Sequence, residues 1–141
     1  MITAVDSSVL FDVLTDDPRH GGSSKQALQD ARAGGIIVAC PIVWAEVRAH
    51  FKDASVMREA FAGAGIRFDP FDEASADLAG ELWAAYRKRG GPRSRLVSDF
   101  LVGAHAKLRA QRLLARDRGF YRAFFRGLPL IDPTPPVASR R

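Results

Sequence analysis

The sequence predicts a three-layer αβα sandwich around a central, mainly parallel sheet. Two observations point there. Short apolar runs alternate along the chain with stretches of helical periodicity, and runs such as ITAV (2–5) and IIVAC (36–40) are apolar throughout. Strands that are apolar on both faces are covered on both faces, as in parallel sheets whose crossover helices lie above and below. A length of 141 residues and 47% hydrophobic content fit one domain with a sizeable core. Residues 1–132 are assigned to that domain, and the Pro- and Arg-containing stretch 133–141 to a C-terminal tail.

MITAVD opens as a strand, and SSVLFDVL turns helical. TDDPRHGG (15–22) carries Pro and paired Gly and marks a loop. Ser23 with Gln26 three residues later fits a capping box for a helix over about 24–33, with Ala27, Leu28 and Ala31 on one face. GGIIVAC is a turn and then a buried strand. Pro41 suits the first turn of the helix PIVWAEVRAHF, where Val43, Val47 and Phe51 recur at a spacing of four. A short helix over about 55–62 precedes the strand IRF (66–68).

Asp72 is placed to cap the helix EASADLAGELWAAYRKR. Its acids lie early and its bases late, as the macrodipole favours. After the loop GGPRSR, Ser98 fits an N-cap that puts Asp99 in a first turn. Leu101, Ala104 and Leu108 then form an apolar stripe. RLLARD is a short strand, RGFYRAFF helical, and LPLI a last strand.

Composition excludes several classes. The single cysteine, Cys40, cannot form an intramolecular disulfide and reads as a buried thiol. No apolar stretch reaches the length of a membrane span, and no basic region followed by an apolar segment marks a secretory signal. The expectation is a cytoplasmic protein with no membrane partner.

The formal charge of +5 conceals an asymmetry. Residues 1–86 hold seven Arg/Lys against thirteen Asp/Glu, whereas residues 87–126 hold twelve against two. A block this basic calls for an anionic partner, nucleic acid first, with a solvated basic face as the bland alternative. Its two acids are Asp99 and Asp117.

Ligands bind at the carboxyl ends of the strands in open parallel sheets. Asp6 and Asp117 end strands, Glu46 lies on the helix after IIVAC, and Asp99 opens the helix before the Asp117 strand. The topology can gather all four. Taken singly each has an ordinary reading: a cap for Asp6, a wet helix face for Glu46, dipole chemistry for Asp99, pairing with Arg116 or Arg118 for Asp117. Together they would repel unless a cation compensates. Mg²⁺ or Mn²⁺ suits such oxygen donors, and the pocket is poor for zinc.

The segments AVDSSVLFDVL (4–14), PIVWAEV (41–47), RSRLVSDFLVGAHA (93–106) and LLARDRGFY (113–121) resemble the PIN-domain ribonucleases. Within that family they resemble the VapC-type toxins of VapBC toxin–antitoxin pairs. The resemblance implies Mg²⁺- or Mn²⁺-dependent cleavage of RNA. It also implies roles for Asp6, Glu46, Asp99 and Asp117 as catalytic, metal-binding acids, with Asp6 and Asp99 the most direct ligands. Ser8 matches a position where a small polar group supports the ligands. Implied partners are a VapB-type antitoxin, whose C-terminal segment wraps the toxin, and a second copy in a homodimer. A metal-independent RNA-binding module and a housekeeping RNA-processing nuclease are the alternative readings.

Arg93 and Arg95 flank the start of the Asp99 helix and are candidates for RNA phosphate contacts. His50 lies one turn from Glu46 and reads first as solvated or packed. His105 lacks a metal-ligand partner at suitable spacing, and His20 sits in a loop. Trp44, Trp83, Tyr86, Phe100 and the aromatics of 120–125 read first as core or protein interface.

Overall fold

The computed structural model describes residues 1–91 and 95–135. Five strands, β1 (Ile2–Val5), β2 (Ile36–Ala39), β3 (Ile66–Phe68), β4 (Arg112–Leu114) and β5 (Leu130–Ile131), form one sheet in the order β3-β2-β1-β4-β5. Every pairing is parallel. The helices among the described residues are α1 (Ser7–Leu14), α2 (Gly21–Gly34), α3 (Pro41–Arg48), α4 (Ala54–Ala64), α5 (Glu73–Lys88), α6 (Val97–Arg109) and α7 (Phe120–Phe124). The αβα class expected from the alternating pattern is the class observed.

Strand order explains the layers. The chain steps from β1 through β2 to β3 in one direction, then returns past β1 to β4 and β5. Right-handed crossovers put the helices of these two halves on opposite faces. The direction reverses between β1 and β4, and such a switch point opens a crevice at the carboxyl ends of the strands. Core residues Val5, Ile37, Leu113 and Leu114 fill the sheet, while Val9, Val43, Met57, Phe100 and Phe125 close on it from the helices. Gly103 on α6 lies against the Phe125 ring, where any side chain would collide.

Local boundaries differ from the sequence expectations in instructive ways. Helix α2 begins at Gly21, with His20 at the cap position and no side-chain cap bond. Ser23 instead donates from Oγ to the His20 carbonyl at 3.1 Å, and Gln26 bonds Asp30, so the expected capping box does not form. Helix α3 stops at Arg48, which leaves Phe51 outside it. In α6 the cap position is Leu96, not Ser98. The buried face runs through Phe100, Val102, Gly103, Ala104, His105 and Ala106, and Leu108 is exposed. The expected Leu101–Ala104–Leu108 stripe was too narrow because α6 packs against both α5 and the sheet. Residues 136–141 of the expected tail lie outside the described residues.

His105, 1% exposed, anchors α6 through an ionic network. Its Nε2 lies 2.7 Å from Asp69 Oδ2. Arg109 donates to both Asp69 oxygens at 2.7 and 3.2 Å and to Asp72 at 3.1 Å. Asp72 also caps α5 through the Ser75 N–H. Together these bonds tie the turn after β3 to α6.

Burial pushes the His105 imidazole below its ordinary range, against the pull of Asp69. The unfolded chain therefore takes up this proton first, and stability falls as pH drops below about 6.5. The bonds from Ser75 and Arg109 hold Asp72 down at about 2; those from Arg109 and His105 hold Asp69 low. The stabilisation from these carboxylates is complete above about pH 4 and disappears as pH falls through their folded values. Urea midpoints should therefore drop between pH 7.5 and 5.5, and His105→Gln should flatten that window without removing the loss below pH 4. A wild-type midpoint constant from pH 7.5 to 5.5 would contradict this reading.

Candidate active site

At the switch point the strand ends deliver side chains into one cavity of about 500 Å³. Asp6, Glu46, Asp99 and Asp117 all line it, with Ser8, Arg95, Arg116, Arg118 and Tyr121 among their neighbours.

Asp6 is fixed by three elements. It follows β1 and caps α1, accepting from Ser8 N–H at 3.3 Å and Ser8 Oγ at 2.6 Å, both on Oδ2. Its own N–H donates to the Leu114 carbonyl of β4 at 2.9 Å. Tyr121 Oη donates to Oδ1 at 3.3 Å, so both carboxylate oxygens are oriented. Ser8 Oγ also accepts the Arg116 N–H at 3.3 Å, joining the loop after β4 to the start of α1.

Glu46 reaches the cavity because Pro41 starts α3 directly after β2. Ser7 Oγ donates to its Oε1 at 3.3 Å. The residue is exposed overall, yet partial loss of water around the carboxyl is the largest cause raising its pKa. The Asp6 charge raises it further, Ser7 opposes, and Asp99 adds to the rise. Asp99 sits at the third position of α6, where Oδ2 accepts the Leu96 N–H at 2.9 Å. The sequence expected it in a first turn, and it is there, one oxygen spent on the helix end. Among the described residues Asp6, Glu46 and Asp99 have no ion-pair partner.

Asp117 is different. Its side chain is 1% exposed. Oδ1 accepts from Gly119 N–H (3.0 Å) and Tyr121 N–H (3.1 Å), and Oδ2 from Arg122 N–H (3.2 Å). Gly119 makes this fold-back possible with φ of 111°, a left-handed conformation that favours glycine. Asp117 therefore ties down the start of α7, which carries Tyr121 to Asp6. Its ionic neighbour is Arg122 at 3.8 Å, not the Arg116 or Arg118 that the sequence offered.

Arg116 has another task. Its Nε and NH2 donate to Asp12 Oδ2 and Oδ1 at 2.8 and 2.9 Å, and Ser24 Oγ donates to Oδ2 at 2.7 Å. Asp12 is 2% exposed. Sequence reasoning missed this pair, although a carboxylate within the apolar helix SSVLFDVL was a signal. It also missed Tyr121, which it placed with the structural aromatics.

Arg95 lines the cavity with its guanidinium 4.5 Å from the Phe120 ring centroid, a cation–π contact. Arg93 lies outside the described residues. His50 packs edge-on against Phe11 and Phe51.

Among the described residues, no three His, Cys, Asp or Glu side chains stand ready to enclose an ion. The donor chemistry nevertheless fits a hard divalent cation. Among the described residues Asp6, Glu46 and Asp99 are oxygen donors without an ion-pair partner that line one cavity, and no soft donor lines it. Asp117 brings a carboxylate already bonded to three backbone N–H groups.

The family model described as the PIN domain matches residues 3–125. No curated protein matches by sequence. Among solved structures, the fold is similar to a chain of VapBC2 from Rickettsia felis bound to a promoter DNA fragment, with TM-score 0.70, 19% identity, and 94% of this chain and 98% of that one covered. DNA-bound VapBC from Salmonella typhimurium gives 0.69 at 16% identity, covering 94% and 98%. VapC20 of Mycobacterium tuberculosis, a Sarcin-Ricin loop cleaving toxin, gives 0.55 at 18% identity, covering 90% and 99%. Among the described residues no helix is long and apolar enough to cross a membrane.

Proposed function

The chain belongs to the PIN-domain family, and from that membership we propose that it is a metal-dependent endoribonuclease acting as the toxin of a VapBC-type pair. One observation carries the reading. Three carboxylates with no cationic partner among the described residues line a cavity that Arg95 and Arg118 also line. A pocket lined by both carboxylates and guanidinium groups suits a cation together with a phosphodiester.

Asp6, Asp99 and Glu46 would hold Mg²⁺ or Mn²⁺, Glu46 directly or through water. When bound, such an ion lowers the pKa of a coordinated water and neutralises charge on the phosphodiester oxygens. The chain supplies orientation. Ser8 and Tyr121 fix the Asp6 carboxylate from opposite oxygens. Ser7 holds Glu46, and the Leu96 N–H holds Asp99. Asp117, which the resemblance implies binds the metal directly or through water, also supports this set by fixing α7 and Tyr121.

A VapB-type antitoxin and a second copy of the chain are the partners in this reading. Support comes from the similar VapBC complexes and from apolar surface beside α4. Phe68 and Val56 are 51% and 48% exposed, and Phe68 meets Trp44 edge-on.

Purified protein incubated with total cellular RNA should cut it in Mg²⁺ or Mn²⁺ and stop in EDTA. Cleavage equally fast in EDTA overturns the metal dependence, and tight binding without cleavage favours a binding module. Expressed alone the protein should slow growth, and the cognate antitoxin should restore it. Active nuclease that leaves growth unchanged would point to RNA processing instead.

A further inference from the structure

A second cavity, of about 220 Å³, adjoins the carboxylate cavity and shares Arg116, Asp117 and Arg118 with it. It adds Arg19, His20, Asp132 and Thr134. Three arginines and two carboxylates line it, so its net character depends on which charges are already engaged.

The carboxylates are engaged. Asp117 accepts three backbone N–H groups. Asp132 accepts the N–H groups of Asp117 (3.2 Å) and Thr134 (2.9 Å), with the Arg122 guanidinium 3.6 Å away. The Arg116 charge is matched by Asp12. The guanidinium groups of Arg19 and Arg118 are left, both exposed and neither ion-paired among the described residues.

The backbone that presents Arg19 is held in place. Asp17 Oδ1 accepts the N–H groups of Arg19 (2.9 Å) and His20 (2.7 Å). His20, which follows Arg19 on this wall, has a buried Nδ1 with no hydrogen-bond partner among the described residues.

Two uncommitted guanidinium groups at a small polar cavity match the chemistry of a phosphate group. We propose that this cavity is a phosphate subsite, which holds the backbone phosphate next to the one being cleaved. The proposal rests on the endoribonuclease reading. It adds that the site engages the RNA backbone on both sides of the shared Arg116–Arg118 wall, and that Arg19 and Arg118 are substrate-binding residues.

The test uses Arg19→Ala/Arg118→Ala in the full chain, with Arg58→Ala/Lys88→Ala as a control that removes equal charge from helices lining neither cavity. Binding of a short single-stranded RNA is measured by fluorescence anisotropy in EDTA over a range of salt concentrations. Loss of the one phosphate held here should reduce the slope of log affinity against log salt by about 0.7 and weaken binding about tenfold at low salt. The control should change neither. In Mn²⁺ the subsite variant should lower kcat/KM with most of the loss in KM, as for lost binding that ground state and transition state share, and Mn²⁺ affinity by calorimetry should match wild type.

Unchanged affinity and slope in the subsite variant overturn the proposal, and so does an equal loss in the control. Wild-type protein that neither binds nor cuts RNA defeats the ribonuclease reading itself, a distinct result. Both arginines are exposed, and thermal melts will show whether the variant folds. If it does not, Arg19→Gln/Arg118→Gln, which keeps the chain length and loses the charge, gives the same readout.

Discussion

Asp99→Asn should abolish RNA cleavage, by more than about 100-fold, while its melting temperature stays within a few degrees of wild type. The amide keeps an oxygen for the Leu96 N–H, so the start of α6 survives. What disappears is a charge facing Asp6 and Glu46. Loss of a group that only supports metal ligands costs roughly 10–100-fold, so Ser8→Ala should fall in that range and Asp99→Asn beyond it.

Two opposing terms set the stability. A carboxylate in a helix's first turn contributes about 0.3–1 kcal/mol. Against it stands repulsion with Glu46, whose pKa is raised more by burial and by Asp6 than by Asp99. The two terms oppose each other, so the melting temperature moves little. Cleavage rates with Mn²⁺ and a thermal melt in EDTA check both halves. Full activity in this variant would remove Asp99 from the catalytic set.

Asp12→Ala should destabilise the protein by about 3–5 kcal/mol, because it strands a partly buried guanidinium that was paired through two of its three nitrogens. For a domain of this size that is a drop in Tm of roughly 10–20 °C. Arg116→Ala leaves Asp12, 2% exposed, with the Ser24 hydroxyl as its one side-chain partner among the described residues and should cost as much. The double replacement Asp12→Leu/Arg116→Met should recover most of the loss, since apolar groups of similar volume can replace a buried pair. Melts of the three variants test this, and a loss below about 1 kcal/mol in Asp12→Ala would make the pair an ordinary surface contact.

Much of the fold was legible because its strands are short apolar runs bounded by polar turns. ITAV, IIVAC and IRF carry that signal in their own residues, and so does the doubly covered sheet. Helix starts were less legible. Helix α2 begins without a side-chain cap, and Ser23 spends its hydroxyl inside the first turn. The gathering of Asp6, Glu46 and Asp99 followed from where strand ends lie in a parallel sheet. The bonding of Asp117 did not, because three backbone N–H groups on a tight turn leave no pattern in the residue types. Asp12 and Arg116 stand 104 positions apart. Only the oddity of a carboxylate among Val9, Leu10, Phe11 and Val13 pointed to a buried partner.

The pairing of β1 with β4 also governs when the site exists. Ser8 and Arg116 lie 108 residues apart, and Asp6 is pinned by the carbonyl of Leu114. A ribosome adding about 5–20 residues per second needs roughly 5–20 s to travel between those segments. Until it has done so, Asp6 and Glu46 sit on a sheet with no β4 beside it, and Tyr121 and the Arg118 wall are not yet made. Loop-closure entropy makes such distant parallel pairing slow even once the chain is free. The nascent chain thus carries no assembled site until residues 112–121 have been made, however early its first three strands can pair.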